Sequence, residues 1–223
     1  LLLVIHHLGV DGVSWRILLE DLEDLLAGKQ EADRLPTKGN SYRQWFDALG
    51  QYGQTRRLLS QKEHWDQVSS KYNPLPVDIE FPGNGRMQDL HHHIQQLSVL
   101  RTRELIQDIP QVYHTEINDI LLSALARTLT DWTKAGKVVI GLEGHGRDAL
   151  TESTDSSRTT GWFTILYPVC LEVKKGVPTG QLLKTVKEQL RRIPDKGVGY
   201  GVLKYLVREK SLEGQSPWAV SYT

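Results

Sequence analysis

Cysteine is almost missing from this chain: Cys170 is the single thiol in 223 residues. One thiol excludes an internal disulfide framework and fits a reducing, cytoplasmic compartment. Excess charge of either sign is missing too, because 27 Lys and Arg balance 27 Asp and Glu. Without a basic surplus, composition gives no reason to expect nucleic acid, and no net field steers charged ligands. No apolar run approaches the roughly 18 residues of a membrane span. The apolar start lacks the basic flank and cleavage site of a secretory signal, and there are no internal repeats. What is present is ordinary for a globular protein, 39% apolar and 24% charged. That is enough to bury a core in one large domain or two small lobes.

One stretch stands out. Five apolar residues, Leu1 to Ile5, run straight into His6-His7, followed by Asp11-Gly12 and an amphipathic segment. A continuous apolar run reads as a buried strand. A strand that starts at residue 1 is expected to be cut from something longer, and residues 217–223 read as a strand stopped midway. Buried ionisable groups are normally paired or absent, so His6, His7 and Asp11 need either partners or a task. A satisfied core histidine beside an Asp-Gly turn and a catalytic histidine are both open readings. Neighbours in an extended chain point to opposite sides, so at most one of the two faces a given cavity. That also argues against a metal, which needs converging ligands.

Helical spacing places a helix over 13–27, with Val13, Ile17, Leu18, Leu22, Leu25 and Leu26 inward and Gly28 as its stop. Residues 29–40 read as a loop. Ser41 caps a second helix with Tyr42, Trp45, Phe46 and Leu49 on one side. A third spans about 54–69. Residues 73–86 are rich in Pro, Asn and Gly, and the lobe boundary is placed there. Residues 91–99 read as a strand and 101–109 as a short helix. Thr115 is expected to cap the longest helix, 116–132, with Leu121, Leu129 and Trp132 inward. Residues 137–142 form a strand that runs into Glu143-Gly144-His145-Gly146-Arg147, and 151–160 are a loop. In 162–173 the residues Phe163, Ile165, Tyr167, Val169, Leu171 and Val173 alternate onto one face, with Pro168 marking an edge or bulged strand. A further helix spans 181–193 and ends at Pro194. The glycines of 197–201 read as a flexible joint before a helix over 202–208. The mixture is α/β or α+β.

Two apolar strands therefore end in polar clusters with glycines, at His6-His7…Asp11-Gly12 and at Glu143…Arg147. Together they supply His, Asp, Glu and Arg, enough for an acid, a base and an ion pair. His91-His92-His93 has no spaced Cys or carboxylate beside it and reads as a solvated strand face rather than a metal site. Gly197-Val198-Gly199-Tyr200-Gly201 follows a helix and lacks G-x-G-x-x-G spacing, which excludes a dinucleotide loop. Cys170 has no activating neighbour. The tryptophans read mostly as core.

The run from His6-His7-Leu8-Gly9-Val10-Asp11-Gly12 through Leu22 resembles the H-H-x-x-x-D-G block of the condensation-domain superfamily of nonribosomal peptide synthetases, and its epimerization branch in particular. Four further blocks agree in order: 115–122, 142–147, 158–168 and 187–201. The resemblance implies two chloramphenicol-acetyltransferase-like lobes in a V, both incomplete. Residues 1–80 are then the second half of the N-terminal lobe and 81–223 the first part of the C-terminal lobe. An earlier part of the first lobe and a later part of the second, with an Asn-Tyr motif, are expected beyond the ends. It implies no cofactor and no metal bound by the domain itself, with substrate arriving on the phosphopantetheine of a peptidyl carrier protein. Further partners are other synthetase modules, with no nucleic acid and no membrane. The activity implied is epimerization of an aminoacyl or peptidyl thioester, with His7 and Glu143 as proton-transfer groups. Asp11 and Arg147 are a bracing ion pair, His6 and Gly12 are structural, and Trp15 and Tyr200 are candidate substrate contacts. The alternatives are a condensation domain and a docking module without chemistry.

Overall fold

The alternation in 162–173 produces a strand because its odd-numbered side chains have a core to enter. In the computed structural model, which describes residues 2–29, 36, 39–79, 86–148, 154–214 and 218–223, β1 (Lys137–Gly144) pairs antiparallel with β2 (Ile165–Glu172). The register runs from Lys137 opposite Glu172 to Gly144 opposite Ile165. A short β3 (Ser221–Tyr222) joins the other side of β1 in parallel, giving the order β2-β1-β3. Pro168 thus lies on an edge strand among the described residues, where its missing N–H costs no second ladder. Phe163, Tyr167, Val169, Leu171 and Val173 are buried. Gly141 is required by a close approach, since a Cβ there would lie 2.6 Å from Trp218 Nε1.

Helices α7 (Ile117–Thr133) and α8 (Thr179–Arg191) pack against each other and against β1 and β2 respectively. Leu122, Ala126, Leu182 and Val186 fill the contact. The N-cap of α7 is Glu116, not Thr115: Asp119 Oδ2 accepts the Glu116 N–H at 2.9 Å, and the Thr115 hydroxyl is buried without a partner. Trp132, expected inward, is exposed.

The helices before the expected lobe boundary share the same core. α2 (Tyr42–Tyr52) starts at Ser41 with a capping box to Gln44 and buries Trp45, Leu49 and Tyr52, while Phe46 stays half exposed. The helix expected over 54–69 is two, α3 (Arg56–Leu59) and α4 (Lys62–Ser70), broken at Ser60-Gln61. Leu58 and Trp65 from these helices lie in one apolar cluster with Ile140, Leu171 and Leu203. Packing therefore runs across the boundary placed near residue 80. Residues 80–85 themselves lie outside the described residues, as do most of the loop expected at 29–40 and the start of the one at 151–160. By contrast, α1 (Gly12–Leu26) buries only Ser14 and Ile17.

Four further expectations are corrected. Leu2, Leu3, Val4 and Ile5 are exposed and form no strand, and residues 91–98 are exposed and belong to no strand. An apolar run becomes a buried strand only beside another strand and beneath a covering layer, and among the described residues neither segment has them. The segment expected as one short helix near 101–109 is α5 (Val99–Arg103), a π turn (Glu104–Asp108) and α6 (Ile109–Tyr113). The expected flexible joint is instead packed: α9 (Val198–Gly201) buries Val198, Gly199 and Tyr200, and the π turn over Val202–Val207 buries Val202 and Leu203 while Tyr205, Leu206 and Val207 are exposed. A Cβ on Gly197 would lie 2.2 Å from the Tyr167 ring, and one on Gly199 would lie 2.1 Å from Gln61 Oε1.

Candidate active site

Asp11 organises the site because it does two things with one carboxylate. As the N-cap of α1 it accepts the Ser14 N–H at 2.7 Å, satisfying one of the unpaired donors of the first turn. It also accepts Arg147 Nη2 at 2.8 and 3.1 Å and the Phe163 N–H at 3.2 Å. Burial alone would raise this carboxyl, but the donors of Ser14, Phe163 and Arg147 outweigh it and hold it below its ordinary value. Both side chains of the pair are about 95% buried, at 5% and 4% exposure. Such a pair is sustained by further hydrogen bonds to its remaining donors. Arg147 Nη1 donates to the carbonyls of Ser156 (2.9 Å) and Thr159 (2.5 Å), and the guanidinium lies 4.1 Å from the centre of the Phe163 ring. Its Nε is buried and unpartnered. Ser14, fully buried, accepts the Gly161 N–H at 3.0 Å and reaches the Gly161 carbonyl at 2.9 Å. The start of α1, the loop after β1 and the loop before β2 are thus tied at one point.

The other expected residues are distributed around that point. His6 Nδ1 accepts the Leu8 N–H at 3.1 Å and caps the turn His7–Gly9. His7 is exposed, with its ring centroid 5.3 Å from that of Trp162. Glu143 lies exposed at the end of β1, opposite Leu166. It stands on the ridge between two depressions. One, of ≈ 380 Å³, is lined by Asp11, Gly12, Arg16, Glu143, His145 and Thr164. The other, of ≈ 340 Å³, includes Glu143, Asn118, Leu122, Tyr167, Lys196 and Tyr222. The structure therefore brings Glu143 to the Asp11-Gly12 turn, and Asp11 to Arg147. His7 lines neither depression and rests instead on Trp162. Trp15 is half-buried in the first turn of α1 and also lines neither. Tyr200 is 2% exposed, packed between Trp65 and Trp218, and burial pushes its phenol up to about 12. Among the described residues no group of three His, Cys, Asp or Glu could hold a metal ion.

Sequence reasoning missed Ser14, Gly161 and Phe163, whose roles are backbone and hydroxyl contacts with no residue-type signature. It also missed Tyr222, whose hydroxyl donates to Asn118 Oδ1 at 2.7 Å in the wall beside Glu143. Its position in a strand beside β1 could have flagged it.

A family model described as the condensation domain matches residues 1–218. The chain is 46% identical over 220 residues to surfactin synthase subunit 2 of Bacillus subtilis (strain 168), covering 97% of this chain and 6% of that protein. It is also 41% identical to bacitracin synthase 1 of Bacillus licheniformis, covering 100% of this chain and 4% of that protein. Among solved structures it is similar to the epimerization domain from the third module of tyrocidine synthetase B, with a TM-score of 0.80 and 39% identity. That match covers 96% of this chain and 48% of the other. The first condensation domain of the CDA synthetase is similar in fold alone, with a TM-score of 0.65 and 21% identity over 84% of this chain and 41% of the other. The chain thus spans about half the length of the solved domains it matches and a small part of the synthetases. No helix among the described residues is long and apolar enough to cross a membrane.

Proposed function

Because the chain belongs to the condensation-domain family of nonribosomal peptide synthetases, we propose that it serves epimerization of an aminoacyl or peptidyl thioester. The thioester hangs from the phosphopantetheine of a peptidyl carrier protein, and the domain itself binds no cofactor. The observation that carries the reading is Glu143, a carboxylate at a strand end that opens into the same depression as the Asp11-Gly12 turn. The 39% identity to a solved epimerization domain supports it.

The chemistry removes an α-proton and returns one to the opposite face of a planar enolate. That needs two proton-handling groups, each worth about 10²–10⁴-fold when positioned. Glu143 is one. His7 is the other, since an imidazole can both take and give a proton. The Asp11–Arg147 pair handles no proton in this scheme. It holds the histidine loop, through α1, against the loop that follows Glu143. Trp15 is a candidate wall for the substrate. Tyr200, deep in the core, acts only through packing.

A second reading, peptide-bond condensation, is favoured by the description of the matching family. It needs no carboxylate across the α-carbon, which is why Glu143 favours epimerization. A docking module that only holds the carrier needs neither group. The test uses the full synthetase with an amino acid loaded on its own carrier. Exchange of the α-proton into deuterated water and appearance of D-product are followed, then dipeptide formation with a second loaded carrier. Glu143→Gln and His7→Ala should each slow exchange at least about a hundredfold. Wild-type exchange in both variants sinks the assignment. Dipeptide without exchange selects condensation, and neither product selects docking.

A further inference from the structure

We infer that Asp195 and Lys196 are positioning residues for Glu143, a turn that anchors the loop after β1 at Asp148. The inference rests on the reading of Glu143 as a proton-transfer group. It starts from a backbone conformation that side chains rarely adopt. Asp195, Lys196 and Gly197 take φ of 44°, 52° and 93°, three successive left-handed residues of which only the last is glycine. Such a turn persists only where its surroundings over-determine it, and here they do. The Asp195 carboxylate accepts from Tyr52 Oη, from Gln61 Nε2 (2.6 Å) and from Arg57, whose Nε lies 3.0 Å from both oxygens. These donors come from α2, from α3 and from the break between α3 and α4. Gly197 fits beneath the Tyr167 ring with no room for a Cβ.

The turn delivers Lys196. Its Nζ stands 2.5 Å from Asp148 Oδ1, and the other Asp148 oxygen lies 3.8 Å from His145 Nε2. Lys196 and Asp148 both line the depression that Glu143 also lines. The loop after β1 is therefore held at two points: Arg147 is tied to Asp11, and Asp148 is tied to Lys196. Tyr167, which covers Gly197, pairs with Leu142 in the ladder, one residue before Glu143. A group held from both sides stays aimed, and a displacement of about 1 Å in a reacting group can cost as much as 10²-fold. Nothing in the H-H-x-x-x-D-G half of the site supplies this second anchor.

The experiment again uses the full synthetase and α-proton exchange on its loaded carrier, with Lys196→Met, Lys196→Arg, Asp148→Asn, the Lys196→Met/Asp148→Asn double variant and Glu143→Gln. The Lys196 side chain is 73% exposed, so its truncation leaves the core untouched. Lys196→Met should lower the exchange kcat about tenfold with KM unchanged. Lys196→Arg should restore most of the loss, and the double variant should be no slower than either single one. Wild-type kcat in Lys196→Met, a loss confined to KM, or strictly multiplicative losses in the double variant would overturn the inference. If Glu143→Gln abolishes exchange while Lys196→Met is silent, only the positioning role falls. If Glu143→Gln exchanges like the wild type, the reading of Glu143 falls and this inference falls with it.

Discussion

Two carboxylates in this chain, Asp11 and Asp195, each receive an arginine and further hydrogen bonds, yet the two arginines sit in opposite solvent regimes. Arg147 and Asp11 are 5% and 4% exposed, whereas Arg57 and Asp195 are 65% and 18% exposed. Burial would raise both acids, and in each case the surrounding donors win and hold it below the ordinary value. The environment of the guanidinium decides what a break would cost. A buried guanidinium that loses its carboxylate is left uncompensated in a poor solvent for charge. An exposed one turns to water and salt. The Asp11 junction is thus a structural commitment, and the Asp195 junction is an adjustable brace.

The sharpest way to break the comparison is Asp11→Ala. In the full synthetase it should destabilise the junction by about 3–5 kcal/mol. The measurement is hydrogen exchange of the segments at 11–17 and 158–163, and unchanged protection there would refute the distinction. The same carboxyl sets an acid limit. Its folded pKa lies below the ordinary 3.8, so its contribution is fully present above that pH. It is lost as pH falls through the lowered folded value. Exchange in those segments should therefore rise on acidification below about pH 3.8, and Asp11→Asn should flatten that rise. Next in size is Ser14→Ala, which leaves the Gly161 N–H and an Arg147 donor short of a buried partner. It should cost about 1–3 kcal/mol, read by the same local exchange, with wild-type protection as the contrary result. The smallest effect belongs to Arg57→Ala at the exposed junction, about 0.5–1 kcal/mol. It should shrink further in high salt. A larger, salt-insensitive loss around Tyr52 and Gly197 would mean that the two junctions are the same kind of object.

The elements built from local signals were legible. The helix after Asp11-Gly12, the Ser41 capping box, the alternation before and after Tyr167 and the edge proline Pro168 all follow from residues close in sequence. Asp11 and Arg147 were nameable as a pair only through the family resemblance, because the sequence also places Glu143 and Asp148 close to Arg147 and Arg16 close to Asp11. Where sequence reasoning failed, long-range packing decided. Residues 2–5 and 91–98 have strand-like patterns, but a strand needs a neighbour to satisfy its backbone, and a pattern does not say whether one is there. Gly197 and Gly199 read as looseness because glycine permits both freedom and close approach. Tyr167 and Gln61 press against them, so here it means close approach. Ser14 carried no signal at all, since a serine in a first helical turn is ordinary.

The sequence by itself determined the family, the order of its motif blocks and the identities of the polar groups His6, His7, Asp11, Glu143 and Arg147, because these are questions of residue type and spacing. Only the tertiary structure decided which of them meet. Asp11 closes on Arg147 across 136 residues, Glu143 opens beside Gly12, His7 lies on Trp162, and Tyr200 is core. Those outcomes depend on which buried donors are left for a carboxylate to satisfy and on where a neighbouring backbone leaves room, and neither quantity is written in the chain until it has folded.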